Sequence, residues 1–145
     1  MRFFIILFAI VFFRSPGQAQ DSWKVLLNGK TILKSNTEDA QKNQVKISTT
    51  DLKKKKELDV KFNSASEQKG WERTINIYDE KDRELFKQKG HELKIKDDKL
   101  LEFFKSTKSI SIYTMSIPTD PKMKASVRVR RVHLCTLVNK ERETE

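Results

Sequence analysis

Cysteine is almost absent from this chain: Cys135 is the only one in 145 residues. No intramolecular disulfide can form, so packing and sheet hydrogen bonds must hold the fold, even in an oxidising compartment. No Asn-x-Ser/Thr sequon occurs anywhere, which agrees with a bacterial rather than a eukaryotic route of export. Long apolar runs are scarce too. The longest, Phe3 to Phe13, has eleven residues and Arg14 directly behind it, whereas spanning a bilayer core takes about 20. The first twenty residues also lack the cysteine that a bacterial lipoprotein carries at its mature N-terminus.

What stands there instead is a secretory signal peptide. Met1-Arg2 gives the cationic start, Phe3–Phe13 the apolar stretch, and Gly17-Gln18-Ala19 a small-x-Ala cleavage site. Residues 1–19 are expected to be removed; a cut after Gln20 fits equally well. The product is expected to be secreted or periplasmic, soluble, not a lipoprotein and without a transmembrane segment after cleavage.

Removing the leader changes the composition. It holds two of the 30 basic residues and none of the 20 acids, leaving 28 against 20, a net charge of +8. Five of the nine Phe residues go with it. A remainder of this size is one domain, residues 20–139, able to bury roughly two-thirds of its unfolded surface. No internal repeat or long linker divides it.

Alternation of apolar and polar residues predicts an all-β fold. Asn28-Gly29 lies between two alternating runs, the strongest short-range hairpin cue, because both residues tolerate positive φ. Counting outward from that turn sets Leu27 against Lys30, Val25 against Ile32 and Trp23 against Lys34. Val45–Ile47, Leu58–Phe62, Arg73–Tyr78 and Leu93–Ile95 repeat the two-residue period of half-buried strands. One short helix interrupts over Asp98–Lys105, where Leu100, Leu101, Phe103 and Phe104 share a side; Asp97 or Asp98 is its expected cap. In the strands that follow, Ile110 and Ile112 are out of phase with Tyr113, Met115 and Ile117. Val127 and Val129 are likewise out of phase with Val132, Leu134 and Val138. A β-bulge at Arg130-Arg131, or a strand covered on both faces, accounts for that slip. Pro118 to Pro121 opens the connecting loop. Residues 140–145 are polar and expected to fray. The sum is an immunoglobulin-like antiparallel β-sandwich of about 7–8 strands, without the Cys…Trp…Cys core of antibody domains.

Four features carry possible chemistry. His133 and Cys135, two apart on a strand, share a face and make a candidate copper or zinc pair. A buried, packed Cys is the structural alternative, and no third group is placed to complete a catalytic set. Asp79–Glu84 gathers four carboxylates in a turn but lacks EF-hand spacing. Lys53, Lys54, Lys55 and Lys56, with Arg128, Arg130 and Arg131, form the basic features; they suit an anionic glycan, a lipid headgroup or an acidic protein. Export argues against nucleic acid. Trp71, beside Gly70, offers a stacking platform for sugar, or a core side chain.

Ser116-Ile117-Pro118-Thr119-Asp120-Pro121 and Val127–Leu137, with Trp23…Asn28-Gly29-Lys30 and Tyr78–Asp82, resemble a group of small secreted bacterial proteins of unassigned function. That resemblance implies an exported β-domain and no activity. The expectation is therefore a non-enzymatic binding or interaction module with a basic surface and no cofactor. The alternative is a periplasmic metal-binding domain using His133 and Cys135.

Overall fold

A computed structural model describes residues 19–54, 57–96 and 98–143, with Asp51 and Lys54 described by their backbone alone. The expected leader up to residue 18, Lys55, Lys56 and the last two residues lie outside the described residues, as do the proposed cap Asp97 and the side chain of Lys54. Among the described residues nine strands and three α-helices follow one another as β1 (Ser22–Leu27), β2 (Lys30–Ser35), β3 (Gln44–Ile47), α1 (Thr49–Lys54), β4 (Leu58–Asn63), β5 (Trp71–Asp79), β6 (Glu84–Lys89), β7 (Glu92–Ile95), α2 (Lys99–Ser106), β8 (Ser109–Pro118), α3 (Pro121–Ser126) and β9 (Val132–Asn139). They form a two-sheet sandwich. One sheet has the order β2-β1-β4-β7, the other β3-β9-β8-β5-β6. Every pairing is antiparallel except that of β3 with β9, which is parallel and lies at an edge. None of the described helices is long and apolar enough to cross a membrane.

The inward side chains of the two sheets meet as alternation requires. Trp23, Val25, Leu58, Val60, Phe62, Leu93 and Ile95 from the first face Ile75, Ile77, Ile110, Ile112, Cys135 and Leu137 from the second. Leu52 of α1 and Leu100, Phe103 and Phe104 of α2 join the same core. Trp23 also ties the sheets together, its indole N–H donating to the Leu134 carbonyl at 2.8 Å.

The turn at Asn28 (φ 53°) and Gly29 (φ 81°) is as expected, but the strands beyond it do not pair one for one. Leu26 opposes Thr31 and Val25 opposes Leu33, so Ile32 is the extra residue of a β-bulge. Trp23 therefore faces Ser35, and Lys34 moves opposite Lys24. A second bulge at Leu85 lets Tyr78 pair with Glu84 and Ile77 with Phe86. It hides β6 from a period-two reading, because Leu85 and Phe86 are adjacent and both half-buried. The third lies at Leu134, between the pairs Ile112–Cys135 and Tyr113–His133.

That third bulge corrects the expected slip at Arg130-Arg131. Residues 127–131 form no strand, and the register changes inside β9. The predicted loop after Pro118 contains α3, capped by the Asp120 carboxylate on the Lys122 N–H with Pro121 at its start. For α2, Asp98 holds the N-cap position through its carbonyl, which accepts from the Glu102 N–H at 2.8 Å, without a side-chain cap bond. The polar tail turns as a 3₁₀ helix over Lys140–Arg142. Glu141 there accepts from the Ser48 hydroxyl and the Thr49 N–H at the start of α1, which draws its carboxyl down to about 2.

Candidate functional site

The bulge at Leu134 decides the geometry of the His133–Cys135 pair. Cys135 lies opposite Ile112, which points into the core; His133 lies opposite Tyr113, which points out. Residues two apart here occupy opposite faces. The Cys135 thiol is fully buried, and desolvation pushes it up to about 12. His133 is half-buried outside the sheet, its Nε2 at 2.8 Å from the Thr136 hydroxyl, while its buried Nδ1 has no hydrogen-bond partner among the described residues. Burial lowers its pKa. Among the described residues no three His, Cys, Asp or Glu side chains come together as a metal-binding group.

The carboxylates of the Asp79–Glu84 turn are each engaged by the protein's own donors. Asp79 accepts from the Lys81 and Arg83 amides, both at 2.9 Å, and pairs with the Arg83 guanidinium at 2.7 Å. Glu80 accepts from the Thr107 hydroxyl, Asp82 from Arg131, and Glu84 from Asn76 and Tyr78. They build a hairpin turn.

The basic features separate into two places. Lys53 is exposed on α1, beyond the end of β3, which lies beside Asn139 at the C-terminal end of β9. Arg128, Arg130 and Arg131 precede the N-terminal end of β9, so eight strand residues, about 26 Å, separate the two groups. Arg130 is paired with Glu38 at 2.6 Å. Arg131 makes a two-pronged bond to Asp82 at 2.7 and 3.2 Å and sits 5.0 and 5.1 Å from the Tyr78 and Tyr113 ring centres. Much of the expected positive patch is thus balanced locally, and Arg128 remains exposed.

A more pointed arrangement occupies the same end of the sandwich, between the sheets. Arg73 lies in phase with Ile75 and Ile77 on β5, so its stem enters the end of the core. Its guanidinium carbon lies 4.4 Å from the centre of the Phe62 ring, and Nη1 donates to the Thr114 hydroxyl at 3.2 Å. Thr114 in turn donates to the Thr74 carbonyl. Among the described residues no carboxylate makes an ion pair with Arg73. Desolvation lowers its pKa, opposed by the charges of Asp21 and Glu67, yet a guanidinium stays charged. A half-buried cation of five N–H donors is left largely unanswered by the protein.

This cation lines a polar pocket of about 280 Å³. Trp71, half-buried at the start of β5, forms one wall, and His91, between β6 and β7, another. His91 packs at 6.5 Å on Phe62, and its Nε2 meets Glu67 at 2.8 Å. Asp21, holding the Ala65 amide at 2.7 Å, and the Gly70 carbonyl, holding Thr119, fix the loop that carries Ser64, Ser66 and Gln68. Serines, a histidine and carboxylates all border the pocket, but among the described residues no serine hydroxyl bonds His91; Ser64 donates to the Ser66 carbonyl instead. The arrangement offers anion recognition beside a flat aromatic wall. Trp71 was visible in the sequence as a stacking candidate. Arg73 was not singled out, though a charged residue in phase with core isoleucines was the available signal.

No family model, curated protein or solved structure matches this chain, so the reading of the site rests on its own geometry.

Proposed function

We propose that this chain is an exported, non-enzymatic binding module that holds the acidic group of an anionic glycan against Arg73. One observation carries the reading: a half-buried guanidinium, stacked on Phe62 and without a carboxylate partner among the described residues, lines a polar pocket walled by Trp71. A desolvated Arg fork binds a planar carboxylate or a tetrahedral oxyanion more strongly than an exposed one. The ring of Trp71 suits the apolar face of a sugar. The leader supports export, and the net charge of +8 left after it draws polyanions from a distance.

The test is a titration with a uronic-acid disaccharide, followed by Trp fluorescence and calorimetry. Arg73→Met, which keeps the stem on Phe62, is expected to lower affinity more than tenfold, with the far-ultraviolet circular dichroism unchanged. Equal affinity in the variant, or no binding of carboxylated, sulfated or phosphorylated sugars by the wild type, overturns the proposal.

A further inference from the structure

Three lysines stand in one row across the outer face of the four-stranded sheet. Lys24 on β1 is directly opposite Lys34 on β2 and directly opposite Lys61 on β4. All three are exposed. Neighbouring strands lie about 4.8 Å apart, so the row covers about 10 Å of a straight line. Like charges directly opposite one another destabilise a sheet, and here two such pairs are adjacent. An acid in place of the central Lys24 would remove both repulsions, and one at either end would remove one. Among the described residues relief comes at one end, where Asp59 approaches Lys61 at 3.8 Å and Glu92 faces it from β7. Among the described residues neither Lys24 nor Lys34 is ion-paired.

The row is also recessed. Lys24, Lys34 and Lys61 line a concavity of about 400 Å³ whose other lining residues are Ser22, Asn63 and the aromatic Trp23 and Phe62, so that neutral hydrogen-bonding groups stand beside the cations. The bulge at Ile32 creates it: one-for-one pairing from the Asn28-Gly29 turn sets Lys34 opposite Trp23, on the core side. We infer that this row binds an extended polyanion whose sulfate or phosphate groups repeat along its length and cross β2, β1 and β4. Charge complementarity selects that occupant. A straight file of cations matches anions repeated on one chain. A bilayer surface fits less well, because the exposed large apolar side chain among the described residues, Met123, belongs to α3 and not to this face. None of the three lysines lines the Arg73 pocket, although Phe62 borders the concavity and carries Arg73; the inference does not depend on the reading given to that pocket.

The experiment measures binding of a heparin oligosaccharide and of polyphosphate to the purified exported protein at several salt concentrations. The Lys24→Gln/Lys34→Gln double variant is compared with a Lys81→Gln/Lys105→Gln control that removes the same charge from exposed positions elsewhere. The row variant is expected to bind at least tenfold more weakly, and its log–log salt slope to shrink by about two. Without ligand its thermal midpoint is expected to equal or exceed that of the wild type, since repulsion is removed. The control is expected to stay within twofold. A preference for heparin identifies sulfate as the group recognised; a preference for polyphosphate identifies phosphate. Equal losses in row and control variants reduce the effect to net charge and overturn the inference. So does unchanged affinity in the row variant, or binding to phosphatidylglycerol vesicles without binding to either soluble polyanion.

Discussion

Replacing Trp23 by Phe tests the bond between the sheets. Trp23 is 3% exposed, and its ring stacks on Phe62 at 6.2 Å. Its N–H is the donor to the carbonyl of Leu134, the extra residue of the β9 bulge and itself fully buried. Phe keeps the aromatic body but leaves that carbonyl without its indole donor, at a cost of about 1–3 kcal/mol. The volume lost with the second ring adds about 1–2 kcal/mol where the core does not collapse around it. The sum is about 2–5 kcal/mol. Urea unfolding followed by circular dichroism and by the remaining Trp71 is expected to show a midpoint lower by on the order of 1–2 M with an unchanged m-value. A loss below about 1 kcal/mol, less than a typical unsatisfied buried carbonyl costs, refutes the reasoning.

Other groups make separate predictions. Because burial pushes Cys135 up to about 12, a disulfide reagent at neutral pH is expected to label the thiol only on unfolding, at a rate that copper or zinc does not alter. Stoichiometric labelling of the native protein contradicts this. Burial lowers the His133 pKa below its ordinary value of about 6.5, so the unfolded chain takes the proton first and stability falls as pH drops from about 6.5 toward the folded value. His133→Gln is expected to flatten that fall in urea melts between neutral and mildly acidic pH; an identical slope in both proteins excludes His133 as its source. Glu141 acts in the same direction over a more acidic window. Its bonds to Ser48 and Thr49 take it from 4.5 to about 2, so its contribution is present above 4.5 and lost as pH falls toward 2. Glu141→Gln is expected to melt earlier at neutral pH, with the gap closing across that acid window, and a gap that persists below it is evidence against the α1 contact.

Local periodicity made much of the fold legible. Asn28-Gly29 marked its turn, alternation marked β1, β4, β5 and β7, and the spacing of Leu100, Phe103 and Phe104 marked α2. What stayed hidden has one main physical cause. Each bulge inserts a single apolar residue, Ile32, Leu85 or Leu134, and one extra residue reverses the face of everything beyond it. Counting by twos therefore placed Val25 against Ile32 and put His133 on the same face as Cys135. It also missed β6. The pairing of β3 with β9 had no local signal, because its partners are far apart in the chain. Arg73 was hidden for another reason: a charge among inward isoleucines looks like the frayed start of a strand until the Phe62 ring and Thr114 are seen beside it.

The parallel pairing at the sheet edge also orders the folding reaction. Gln44 pairs with Thr136, and among the described residues β9 is the one strand that β3 pairs with. The hairpins β1–β2 and β5–β6 close short loops and can form early, whereas the β3–β9 pair closes a loop of about ninety residues, an entropic cost met before any contact rewards it. β9, the last of the described strands, must therefore be in place before β3 can join a sheet. Until then β3 stays an unpaired segment and the larger sheet lacks its edge.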